Sequence, residues 1–181
     1  MITQTHRQEP LPKDQLRCFF IGFFCCILLF CAVGCSSDGS SFSSSTGDSD
    51  SQDEFYEMEQ DILLQINEYR QSQFLSLLRW NETIADYCRT HSLNMAAGAV
   101  DFGHDGFNDR VNGIAQTISY EYAAENVASN NYSDPVTTAV DGWLNSPEHL
   151  ENIEGDYNLT GIGVAQDEDG VYYFTQIFIR Q

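Results

Sequence analysis

The chain has 181 residues and carries eight basic side chains against 27 acidic ones, a formal net charge of −19. A surface of that sign repels phosphate backbones, which excludes nucleic acid as a partner. Five of the six cysteines fall between Cys18 and Cys35, so Cys88 stands alone in the remainder and no disulfide framework can form there.

Residues 1–17 carry His6, Arg7, Lys13 and Arg17 and lead directly into the apolar run 18–34, the arrangement of an export signal. Ala32-Val33-Gly34-Cys35 resembles a bacterial lipobox, in which the cysteine is acylated, by palmitate for example, and becomes the new N-terminus. Cys31 and Ala32 stand where larger aliphatic residues are commoner. The alternative anchor is an uncleaved transmembrane helix, for which the run is slightly short. Either anchor places the remainder of the chain outside the cytoplasm, on a cell envelope. The boundaries expected are a leader or lipoprotein anchor over 1–35, a Ser/Asp/Gly-rich tether over 36–54 that cannot bury enough apolar area to fold, and one domain over 55–181.

In the domain, Phe55, Met58, Ile62, Ile66 and Tyr69 recur at helical spacing and predict a helix from about Asp53 to Phe74. Asn81 caps a second helix with Ile84, Tyr87, Cys88, His91 and Met95 on one face and Gly98 at its end. On that face Cys88 reads as a small apolar side chain and His91 as a satisfied structural histidine. A short strand is expected around Ser119 to Ala123. Ser133 or Asp134, followed by Pro135, opens a helix with Val136, Ala139, Val140, Trp143 and Leu144 as its apolar stripe. Asn145 or Ser146, with Pro147, caps a shorter one. The segments Gly161–Gln166 and Val171–Arg180 flank Asp167-Glu168-Asp169-Gly170 and form a hairpin. In its second strand Val171, Tyr173, Ile177 and Ile179 oppose Tyr172, Phe174 and Phe178, so both faces are covered. The fold class is α+β: a three-layer α-β-α sandwich with a small antiparallel sheet, in a single domain.

Four segments together resemble the CAP superfamily of cysteine-rich secretory proteins, antigen 5 and pathogenesis-related proteins, in its bacterial SCP-like form. They are His91-Ser92 with Met95, Phe102-Gly103-His104-Asp105-Gly106-Phe107 with Arg110, Ala124-Glu125-Asn126-Val127-Ala128, and the stretch from Trp143 to Ile153. Gly161-Ile162-Gly163-Val164-Ala165 and Tyr172-Tyr173-Phe174-Thr175-Gln176 fit as well. The resemblance implies a cleft lined by His104, Glu125 and His149. Where eukaryotic members carry a second glutamate this chain has Ser146, so the set is incomplete unless Glu148 or Glu151 substitutes. Glu148 and Leu150 also depart from the usual glycine and arginine.

Two chemistries remain open for these residues. His104 and His149, with Glu125, would hold a divalent ion such as zinc, water completing the sphere. Alternatively the three form a buried polar network that fixes the cleft walls. Arg110 is expected to pair with a carboxylate or a helix end. No Gly-x-Ser-x-Gly elbow and no helical His-Glu-x-x-His pair is present, so an enzyme is the weaker reading. The expectation is an envelope-anchored protein with a membrane attachment at Cys35 and a cleft that binds a lipid, a cell-wall component or a partner protein. Its rival is a metal-dependent hydrolase using His104, Glu125 and His149.

Overall fold

The apolar stripes read from the sequence need a sheet to pack on, and the computed structural model supplies one between two helical layers. It describes residues 4–7 and 48–181, with side chains from Glu54 onward. The apolar run, Cys35 and most of the tether lie outside the described residues. Among those described, no helix is long and apolar enough to cross a membrane.

In chain order the elements are β1 (Gln4–Arg7), α1 (Asp48–Ser72), β2 (Arg79–Trp80), α2 (Glu82–Ala96), α3 (Phe107–Ile114), β3 (Tyr122–Asn130), α4 (Pro135–Leu144), α5 (Pro147–Glu154), β4 (Leu159–Gln166) and β5 (Tyr172–Arg180). The strands form one sheet in the order β1-β3-β5-β4-β2. The β3–β5, β4–β5 and β1–β3 pairs are antiparallel, and the two-residue β2 runs parallel to β4. The α-β-α sandwich is as expected, with that short parallel edge as the one departure from an antiparallel sheet.

Each face of the sheet carries its own core. Ile62 and Ile66 of α1, Val136, Val140 and Trp143 of α4 and Ile153 of α5 pack with Ile162, Phe174 and Phe178. Ile84 and Cys88 of α2 and Phe107, Val111 and Ile114 of α3 pack with Ile177 and Ile179 on the other side. The alternation along β5 is the one its sequence predicts, because successive strand residues point to opposite faces.

Two caps read from sequence are formed. Asn81 accepts from the Ile84 N–H at 3.2 Å and Asp134 accepts from the Thr137 N–H at 3.2 Å, each satisfying a donor the first helical turn leaves orphaned. Helix α1 starts at Asp48 instead of Asp53, taking up the end of the expected tether. Strand β3 runs from Tyr122 to Asn130, not Ser119 to Ala123. The alanines, Glu125 and Asn126 are poor strand formers, and it is the nine-residue register with β5 that holds them extended.

Helix α2 lies directly on β4. A Cβ at Gly161 would stand 2.2 Å from the Ala85 backbone nitrogen, and one at Gly163 would stand 2.1 Å from that of Arg89. The contact is reinforced by hydrogen bonds from Cys88 Sγ to the Gly161 carbonyl (3.3 Å) and from Ser92 Oγ to the Gly163 carbonyl (2.9 Å). Burial pushes the Cys88 thiol well up, so it stays protonated and acts as a small core residue. On the opposite face Arg70, 1% exposed, donates to the carbonyls of Ser76, Ile153, Gly155 and Tyr157 and so ties the turn after α5 to the end of α1.

Gly163→Ala is expected to force α2 off the sheet and to lower unfolding free energy by about 1–3 kcal/mol, the usual cost of overpacking. Urea denaturation of the variant beside the exposed control Gly142→Ala, where a Cβ meets nothing within 4 Å, checks it.

Candidate functional site

Glu125 sits in the middle of β3, points to the α2–α3 side and is fully buried. A buried carboxylate must be paired and hydrogen-bonded or it is not charged at all. Its partner is Arg110, one turn into α3, which approaches as a fork. Nε donates to Oε2 at 2.9 Å, and Nη2 lies 2.7 Å from both oxygens. Arg110 also donates through Nη1 to the Asp105 carbonyl at 2.8 Å, fixing the loop that carries His104. That loop enters α3 through Gly106 at φ 77°, a left-handed conformation that side chains with a Cβ rarely adopt.

His104 completes the set. Its Nδ1 lies 2.9 Å from Glu125 Oε1, so Nδ1–H donates to the carboxylate and Nε2 is left as the working nitrogen. A carboxylate held behind an imidazole in this way fixes the ring's tautomer and direction. His91 does something different. Its Nε2 donates to the Gly103 carbonyl at 2.8 Å while Nδ1 accepts from Arg110 Nη1 at 3.2 Å, so both ring nitrogens are used up. Burial, and secondarily the Arg110 charge, push its pKa down, and His91 is the neutral structural histidine expected.

His149 comes from the other layer. It sits in the first turn of α5, whose backbone is pinned to β3 by a chain of amides. Asn126 Nδ2 donates to the His149 carbonyl (3.1 Å), while Asn152 Nδ2 donates to Asn126 Oδ1 (2.8 Å) and to the Glu125 carbonyl (3.3 Å). The imidazole itself is 1% exposed, and neither Nδ1 nor Nε2 has a hydrogen-bond partner among the described residues. Burial lowers its pKa, and the nearby His104 lowers it further, so the ring is neutral at pH 7. An imidazole with both nitrogens buried and unbonded forgoes stability that other buried polar groups recover.

The remaining sequence candidates take no part in this arrangement. Ser146 is the half-buried N-cap of α5, makes no side-chain capping bond and has no bond to either imidazole. Glu148 and Glu151 are exposed on α5 and bond to no imidazole. Glu125 is committed to Arg110 and His104, so it offers no open carboxylate to a cation. Among the described residues no three His, Cys, Asp or Glu side chains are grouped to hold a metal ion. The structure thus joins His104 directly to Glu125 and leaves the His149 ring unbonded among the described residues. Sequence reading leaves Arg110 without a named carboxylate and gives no role to the Asn126–Asn152 pair. For Arg110 the signal is in plain view, since few cations exist to neutralise a glutamate in a strand that carries no other charge.

The arrangement is a sheet sandwiched by helices, with an arginine-clamped glutamate orienting His104 from one layer and His149 supplied by the other. The family model for the cysteine-rich secretory protein family, CAP, matches residues 63–178, and the chain belongs to that family. An extracellular SCP-domain protein of Bacillus anthracis is 29% identical, with a TM-score of 0.58 over 70% of this chain and 41% of its own. An outer surface protein of Borrelia burgdorferi is 21% identical, with a TM-score of 0.61, 69% of this chain and 93% of its own. A cysteine-rich secretory protein of Staphylococcus aureus is 23% identical, with a TM-score of 0.58, 70% of this chain and 39% of its own. This chain thus spans about two fifths of the Bacillus and Staphylococcus proteins. No curated protein matches the sequence.

Two outcomes are expected. Arg110→Gln leaves Glu125 buried without its counter-charge and should cost about 3–5 kcal/mol of stability, read by urea unfolding. Because burial lowers both His91 and His149 below their ordinary 6.5, the unfolded chain binds protons first as pH falls. Stability is therefore full above 6.5 and declines as pH drops below it toward the folded values. The decline should be shallower in His149→Phe, measured by urea titrations from about pH 7.5 to about pH 5.

Proposed function

We propose that this is a cell-envelope protein, exported and held at the membrane through a lipidated Cys35, whose CAP domain binds a ligand at the cleft of His104, Glu125 and His149. The observation that carries the ligand reading is the His149 ring, whose two nitrogens have no hydrogen-bond partner among the described residues and which lies near His104. Such an arrangement suits a ligand that brings its own hydrogen-bonding group, such as a cell-wall component, a lipid headgroup or a residue of a partner protein, or a divalent ion held by two imidazoles and water. The extracellular SCP-domain protein of Bacillus anthracis and the outer surface protein of Borrelia burgdorferi support the location. A hydrolase built on the same three residues has no support in the geometry, since the carboxylate that would serve as base is saturated by Arg110.

His149→Phe separates the ligand reading from a purely structural network. It removes two unsatisfied nitrogens at similar volume, and the expected result is a domain as stable as wild type or more so, by up to about 1–3 kcal/mol. A structural network predicts a loss instead. In parallel, zinc titrated by calorimetry into residues 54–181 and into His104→Ala/His149→Ala reports whether the ligand is a cation. Stoichiometric uptake lost in the double variant identifies an ion site, and no uptake in either directs the search to lipid and cell-wall ligands.

A further inference from the structure

The sheet has two edges, and they are built differently. The β2 edge is two residues long. The other edge is β3 wherever β1 is removed, and β3 has only one of the features that blunt exposed strands, an inward-turned charge. From Tyr122 to Asn130 there is no proline and no lysine, and the single charge, Glu125, is turned inward and neutralised by Arg110. Its occupant in this chain is β1, which pairs antiparallel with Gln4 opposite Glu125, Thr5 opposite Ala124, His6 opposite Ala123 and Arg7 opposite Tyr122, and which also lies against α3.

On the export reading proposed above, strand β1 comes from the leader segment. If the chain is processed at Cys35, residues 4–7 leave with the leader. If 18–34 stays as a membrane helix, residues 4–7 and the domain lie on opposite sides of the bilayer. On either form of the export reading the mature domain presents β3 as a bare edge. The occupant's chemistry also suits its host. His6 and Arg7 occupy register positions at the end where Glu121 follows Tyr120 and where Asp156 is exposed in an ion pair with Arg180. From Glu54 to the C-terminus there are five basic residues against 21 acidic ones.

We propose that the outer edge of β3, Tyr122 to Glu125, is an acceptor for an extended, proline-free, basic peptide segment of a partner protein, which adds to the sheet as an antiparallel strand in the register shown by Gln4–Arg7. Main-chain hydrogen bonds supply the affinity and the acidic surroundings the preference for basic segments. The register sets the bound segment's first paired residue opposite Glu125, at the mouth of the imidazole cleft. The edge recognises the segment through backbone, and so does not depend on that cleft being occupied.

Both cores draw their residues from between Phe55 and Ile179, so residues 47–181 hold the folding unit. A fluorescent peptide of residues 2–8 is titrated into this domain by anisotropy, and hydrogen exchange is followed over Tyr122–Glu125. Successive N–H groups of a strand alternate sides, so of the peptides Thr5→Pro and His6→Pro at least one removes a ladder donor. The expected results are saturable binding, slowed exchange at Tyr122–Glu125 but not at Leu159–Gln166, and at least a tenfold loss with one proline peptide. Binding should be unchanged within about threefold in Leu64→Ser, an exposed position on α1 away from β3; abolition there would overturn the edge as the acceptor. The same segment fused through a flexible linker to Gly47 tests the pairing in cis. Protection in neither format, or proline peptides that bind as tightly as the parent, would overturn the proposal.

Discussion

The buried carboxylate of Glu125 is the constraint on which the site end of the molecule depends. A charge in the centre of a sheet must be matched, and Arg110 matches it with both arms of its guanidinium. That requirement fixes where α3 can sit. Through the Asp105 carbonyl it fixes the His104 loop, and through His91 it ties the same loop to α2. One ion pair thus sets the relative positions of two helices, one strand and one loop. The imidazole of His104 is aimed by Glu125 Oε1, the oxygen it shares with Arg110 Nη2.

The opposite layer is arranged by neutral amides. Asn126 and Asn152 hold α5 to the far face of β3, and Arg70 holds the turn after that helix. Neither device touches the His149 ring. Its backbone is anchored from several directions while its nitrogens are left without partners. This division, rigid main chain with unsatisfied side chain, is the observation on which the proposed ligand site rests.

Much of the architecture is legible in the sequence because it is local. Asn81 and Asp134 announce helix starts by chemistry that acts within three residues, and the alternation along β5 states outright that both faces are covered. The features that escape such reading are non-local. Helix α3, with Asn108, Asp109, Asn112 and Gly113 in eight residues, has little helical propensity and forms because Phe107, Val111 and Ile114 find a core and Arg110 finds Glu125. Strand β3 is extended because β5 pairs with it, and the two-residue β2 has no sequence signature at all. The cleft residues His104, Glu125 and His149 are reached through family resemblance. That Glu125 answers to Arg110 rather than to an open position, and that His149 answers to nothing among the described residues, is geometry that no motif encodes.

The early start of α1 bears on how far the domain can travel. With the helix beginning at Asp48, only residues 36–47 separate it from the proposed lipid attachment at Cys35. Such a segment at full stretch spans at most ~40 Å, comparable to the ~37 Å length of α1 itself. With that attachment the domain would be confined to a shell about one domain deep above the membrane. Its acidic first turns, with Asp48, Asp50, Asp53 and Glu54, discourage it from lying flat on anionic lipid. On the proposed attachment, a ligand of the cleft has to come within that shell.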